Sequence, residues 1–144
     1  MEKNPIPQGK YIPAKRSRDL IYSAGMTPRI DGKLMLEGRV KVSEDISKYR
    51  DAVVQATKNA IVAIENTLEG NEKIKDIITM TVYVNAEEGF TAHSKLADFA
   101  SDYIVKKYGE RAICSRAAIG VQSLPGNAPV EIQIIAYCEK LLQG

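Results

Sequence analysis

Val130-Glu131-Ile132-Gln133-Ile134-Ile135-Ala136-Tyr137 alternates residue by residue, and that alternation decides the fold. Successive side chains of a strand point to opposite faces, so Val130, Ile132, Ile134 and Ala136 share one side. That side is wholly apolar and predicts a covering layer of helices. Glu131, Gln133, Ile135 and Tyr137 take the other side, which is only partly apolar. Upstream, Ala117 to Val121 reads as a second strand, joined to the last by a Pro125-Gly126-Asn127 turn. Ile77 to Val84 is rich in β-branched residues and too short for an average helix, so it also reads as a strand.

Two segments have the period of the covering layer. From Ser47 to Leu68, residues Tyr49, Ala52, Val53, Ala56, Ala60, Ala63, Ile64 and Thr67 recur at spacings of three and four, and Gly70 closes the run. Phe90 to Lys107 repeats the pattern with Phe90, His93, Leu96, Ala97, Ala100, Tyr103 and Ile104. Nearer the start, Leu20 to Gly25 reads as a strand and Asp31-Gly32 as a hairpin turn. Leu34-Met35-Leu36 continues as a further strand toward Gly38 and Val40. Pro5, Pro7, Gly9 and Pro13 make residues 1–13 an irregular lead-in. The order is β-β-α-β-α-β-β. It predicts an α+β two-layer sandwich, two helices on one face of a mixed sheet, in a single domain over 1–144. The partly apolar face without helices predicts an oligomer.

The 144 residues are 44% hydrophobic and 26% charged, as in a globular chain that buries a core. Twenty basic residues against 18 acidic ones leave +2, which makes no electrostatic case for nucleic acid. Lys10, Lys15, Arg16 and Arg18 read as a solvated segment ahead of a phosphate site. No run approaches a membrane span and the N-terminus lacks an apolar signal core, so the expected location is the cytoplasm, with reduced thiols. Cys114 and Cys138 lack CxxC spacing, and His93 cannot complete a zinc set with them, so no metal site is expected. A disulfide between them stays open at this level.

The chemistry gathers around Arg116 and Glu131, expected on two adjacent strands. A guanidinium presents a planar fork that matches a carboxylate with two parallel hydrogen bonds, and small Ala117 and Ala118 leave room at its head. Glu131 can hold a water against a bound electrophile as general base. The alternative is a plain cross-strand ion pair. Asn59, on the apolar stripe of the first helix, is either a satisfied core group or part of a site. His93 reads as packing rather than catalysis.

From Tyr11 to Tyr137 the chain resembles the RidA (YjgF) family, labelled in older usage endoribonuclease L-PSP. The resemblance rests on Tyr11-Ile12-Pro13-Ala14 with Leu20-Ile21-Tyr22-Ser23-Ala24-Gly25, on Gln55 and Asn59, and on Ile78 to Val84. It rests most specifically on Arg116, Leu124-Pro125 and Val130-Glu131-Ile132 in register. The resemblance implies a chorismate-mutase-like fold and a homotrimer whose sheets line a central barrel, with three clefts between subunits. It also implies deamination of 2-imino or enamine acids to 2-keto acids and ammonia, without metal or organic cofactor. Arg116 would grip the substrate carboxylate, Glu131 would orient water, Tyr11 would help close the cleft from a neighbouring subunit, and the backbone around Ala118 would meet the imine end. Three departures stand out: Ala24 replaces a common serine, Ala118 a common cysteine, and Arg111 to Arg116 the usual Arg-Pro-Ala-Arg approach. The other readings are a non-catalytic trimer binding small carboxylates as a regulator, and an endoribonuclease that inhibits translation.

Overall fold

The structure is a computed structural model and describes residues 2–142. Five strands form the main sheet: β1 (Ala14–Ser17), β2 (Leu20–Ser23), β5 (Glu72–Asn85), β6 (Ser115–Val121) and β7 (Val130–Lys140), in the order β1-β2-β7-β5-β6. All neighbours are antiparallel except β5 and β6, which run parallel. A parallel pair needs a long crossover, and α2 (His93–Tyr108) supplies it. The other helix, α1 (Arg50–Glu65), connects the N-terminal strands to β5.

The alternation in β7 sorts as expected. Val130, Ile132, Ile134 and Ala136 are fully buried, whereas Glu131, Ile135 and Tyr137 are half-buried and Gln133 is exposed. Met80, Val82 and Val84 of β5 join the same buried face, against Ala56, Ala60, Ile61 and Ile64 of α1 and Leu96, Ala100 and Ile104 of α2. On the opposite face Leu20, Tyr22 and Ile119 are exposed beside Tyr83, Ile135 and Tyr137. That face carries no helix.

Several expectations need correction. The strand expected over Leu34 to Val40 does not form. Only a two-residue ladder exists, β3 (Arg29–Ile30) with β4 (Lys33–Leu34), around the Asp31-Gly32 turn. Both turn residues have positive φ, 52° and 84°, as a type I′ hairpin requires. Beyond it the chain crosses the sheet end, where Val40 is fully buried and its N–H donates to the Asn85 carbonyl at 2.8 Å. The place of the second sheet strand is taken by β1, which pairs with β2. The first helix begins with a 3-10 turn, Ile46–Tyr49, and ends at Glu65 rather than Leu68. Its last bonds tighten to three-residue spacing, with Thr67 N–H donating to Ile64 and Leu68 N–H to Glu65.

The larger correction concerns Arg116 and Glu131. Their strands are not adjacent, because β5 lies between β6 and β7. Pro125-Gly126-Asn127 is a 3-10 turn that carries the chain past the end of β5. The crossover leaves β6 at the sheet edge, while β7, paired on both sides, sits at the centre.

Arg16, expected on a solvated segment, clamps the first hairpin to the start of β5. It bonds Glu72 through two nitrogens at 2.6 and 2.5 Å and donates to the Thr67 carbonyl at 3.2 Å. The Arg16 guanidinium holds the Glu72 carboxyl down, lowered to about 2. A carboxyl depressed in the folded state adds stability above its unfolded pKa, and that stability is lost as pH falls toward the folded value. Glu72→Gln is therefore expected to be less stable than wild type at pH 7, with the gap closing between about pH 4.5 and 2. Urea midpoints across that range check this; a constant gap would show that the ion pair is not its source.

Candidate functional site

Glu131 follows Val130 onto the helix-free face and pairs in register with Tyr83. Its neighbour in space is Gly25. Met26 and Ile132 exchange two backbone hydrogen bonds of 2.8 Å, which lays the end of β2 alongside β7. A Cβ on Gly25 would stand 2.8 Å from the Glu131 carboxyl carbon, so only glycine permits this approach. Burial alone pushes the Glu131 carboxyl above the ordinary carboxylate range, and it forms no ion pair among the described residues.

A cavity of about 320 Å³ opens over this carboxylate, lined by Gln8, Tyr11, Ala24, Thr27, Arg29 and Pro125 besides Gly25 and Glu131. A second, of about 450 Å³, adjoins it through shared Gln8, Tyr11, Gly25, Thr27 and Arg29 and reaches Gln55, Lys58 and Asn59 of α1. The lead-in residues form part of its wall. Tyr11 is 45% exposed and its hydroxyl accepts from the Gln8 N–H at 3.0 Å.

The structure brings Glu131 and Tyr11 together but puts Arg116 elsewhere. Arg116 pairs with Met80, and Met80 faces the helices. Its guanidinium accordingly lies against α2, donating to Asp98 Oδ1 at 2.9 Å, Ser101 Oγ at 2.8 Å and Ser94 Oγ at 2.9 Å. Within one chain Arg116 and Glu131 are on opposite faces of the sheet with β5 between them, so the cross-strand ion pair is excluded. Ala118 sits with Arg116 on the edge strand, opposite Val82.

Asn59 is 8% exposed and fully engaged. Its Nδ2 donates to the carbonyls of Thr27 and Arg29 at 3.1 and 2.9 Å, and its Oδ1 accepts from Gln55 at 2.9 Å. It positions the 27–29 segment that lines both cavities. His93 opens α2, meets Phe90 edge-on with ring centroids 5.0 Å apart, and faces Gly120. Both cysteines are free. The metal-type cluster found among the described residues, Asp19, Glu72 and Cys138, has its cation in Arg16, which bonds Glu72 and lies 3.9 Å from Asp19. Among the described residues no helix is long and apolar enough to cross a membrane.

Arg29 is the residue that sequence reasoning passed over. A cation two places before an Asp-Gly turn was the available signal, since its side chain reaches back to the Gly32 carbonyl at 2.8 Å.

Two helices on a mixed sheet with a cleft at the sheet's end define a small α+β class whose relatives are recognisable. The endoribonuclease L-PSP family model matches residues 1–138, and the chain belongs to that family. A RutC family protein of Pyrococcus abyssi is 30% identical, over 96% of this chain and 94% of that protein. A RutC family protein of Aquifex aeolicus is 27% identical, over 93% of each. The crystal structure of a candidate endoribonuclease from Shewanella oneidensis matches with a TM-score of 0.85 at 25% identity, covering 94% of this chain and 90% of that one.

Proposed function

We propose that this protein hydrolyses 2-imino or enamine acids to 2-keto acids and ammonia, as a homotrimer with its clefts between subunits. The observation that carries the reading is Glu131: a half-buried carboxylate without an ion-pair partner among the described residues, lining a cavity large enough for a small metabolite. Burial raises its proton affinity toward what a general base near neutral pH needs. Arg116 and Ala118 lie on an edge strand, remote from that cavity, and a partly apolar sheet face carries no helix. A neighbouring subunit on that face would bring its own Arg116 and Ala118 to the cavity of this one, joining two half-sites that one chain keeps apart.

In the joined cleft Arg116 of the neighbour binds the substrate carboxylate, and Tyr11 covers it. Glu131 accepts a proton from water as the water oxygen bonds to the iminium carbon, and the C=N π pair moves onto nitrogen. Glu131 then returns the proton to the amine of the tetrahedral intermediate. The C–N bond breaks, ammonia leaves, and the hydroxyl oxygen becomes the keto oxygen as its proton passes to the Glu131 carboxylate, which releases it to solvent. The iminium is already electrophilic, so positioning and electrostatics do most of the work. For the family's endoribonuclease label the smaller cavity offers one carboxylate and no histidine.

Mixing subunits tests the shared cleft. Arg116→Ala and Glu131→Gln chains should each be inactive toward imines generated by an amino-acid oxidase. Refolded together in equal amounts, they should regain about one quarter of wild-type turnover, the fraction of clefts with both intact halves in a cyclic trimer. No recovery would sink the shared cleft. A wild type that fails to speed imine hydrolysis would sink the enzyme.

A further inference from the structure

Arg29 lines both cavities at the place where they meet. Its Nη1 donates to Gly32, but its Nε is buried without a partner, and its Nη2 packs beside Gly126, 2.7 Å from where a Cβ would stand. Among the described residues no carboxylate pairs with it. A guanidinium offers five donors in a fixed fork, and leaving buried ones unmatched is costly. The smaller cavity has only two charged residues, Arg29 and Glu131. No ion pair joins Glu131 to Arg29 among the described residues. Asn59 fixes the backbone of Arg29, and Gln55 orients Asn59, so the cation is held in place from α1.

We propose that Arg29 receives a second acidic group on the ligand, making the cleft selective for dicarboxylic 2-imino acids. This rests on the reading that the cleft binds imino acids. The α-carboxylate goes to the neighbour's Arg116, the imine carbon sits before Glu131, and the side chain runs along the cavity so that its distal carboxylate meets the Arg29 guanidinium where it lines the cavity. Two carboxylates then meet two arginines. A purely apolar side chain would leave Arg29 unmatched, and this is the source of the discrimination.

Titration calorimetry with 2-oxoglutarate, oxaloacetate and 2-oxobutanoate reads the preference without relying on turnover. Wild type should bind at least one of the two dicarboxylates about tenfold or more tightly than 2-oxobutanoate, as a charge-assisted pair provides. Arg29→Met should remove that difference and Arg29→Lys restore part of it. Equal wild-type affinities would overturn the proposal whatever the variants do, as would a preference that survives in Arg29→Met. Parallel assays with imines made from glutamate and from 2-aminobutanoate separate the two readings. A dicarboxylate preference in binding with no imine hydrolysis overturns the deaminase and leaves Arg29 as the acid receptor. Hydrolysis of both imines at equal kcat/KM overturns the role of Arg29 and leaves the deaminase.

Discussion

Glu131→Gln is expected to lower imine turnover by roughly 10²–10⁴-fold, the usual contribution of a positioned general base. Glutamine keeps the size and hydrogen-bonding reach of the side chain, so it still fits against Gly25, where the approach is too close for a Cβ. It cannot take a proton from water. Binding of 2-keto acids, which depends on the arginines, should persist. The same substitution should not destabilise the fold at pH 7. The Glu131 carboxyl is raised in the folded state by burial, so its favourable contribution is full at low pH and disappears as pH rises through the folded value. Ionising this carboxyl therefore works against the fold, and the neutral amide avoids that penalty. Steady-state kinetics, keto-acid calorimetry and urea midpoints on one preparation check all three. Retained turnover would leave the protein as a binding module for small carboxylates. Lost turnover together with lost stability would mean that Glu131 is structural.

Ile132→Ala is expected to cost about 2–5 kcal/mol of stability, as for other fully buried aliphatic side chains cut to alanine. Ile132 is 0% exposed on the central strand, between Met26 on one side and Val82 on the other. Truncation removes apolar contact and leaves a cavity between sheet and helices that the surrounding close packing cannot fill. It also loosens the residue whose two backbone bonds to Met26 set Gly25 against Glu131. Stability and turnover should fall together, whereas Glu131→Gln separates them. Urea midpoints at one fixed protein concentration measure the first effect, because assembly would make stability depend on concentration. A loss under about 1 kcal/mol would show that β7 is not the core of the sheet.

The layer arrangement was legible because periodicity reports which side of an element meets the core. Val130, Ile132, Ile134 and Ala136 were assigned to the helix face by alternation alone, and all four are fully buried. The Asp31-Gly32 turn was legible from local backbone preference. Leu34 to Val40 misled for the complementary reason. Of its apolar residues only Val40 is fully buried, while Leu34 and Leu36 are half-buried and Met35 is exposed, and an apolar run by itself does not distinguish a strand from a crossing loop. Arg16 misled because a charge cluster in sequence carries no sign of Glu72, fifty-six residues away.

By itself, the sequence determined the elements, the face each strand turns to the helices, and the residues able to do chemistry, since these follow from local periodicity and side-chain type. Only the tertiary structure decided which of those residues meet. Insertion of β5 between β6 and β7 set Arg116 and Glu131 on opposite faces, and the bridge from Met26 to Ile132 brought Gly25 and Arg29 to the carboxylate instead. Strand order is a choice among long-range pairings, and no pattern within a single strand records which neighbour it will take.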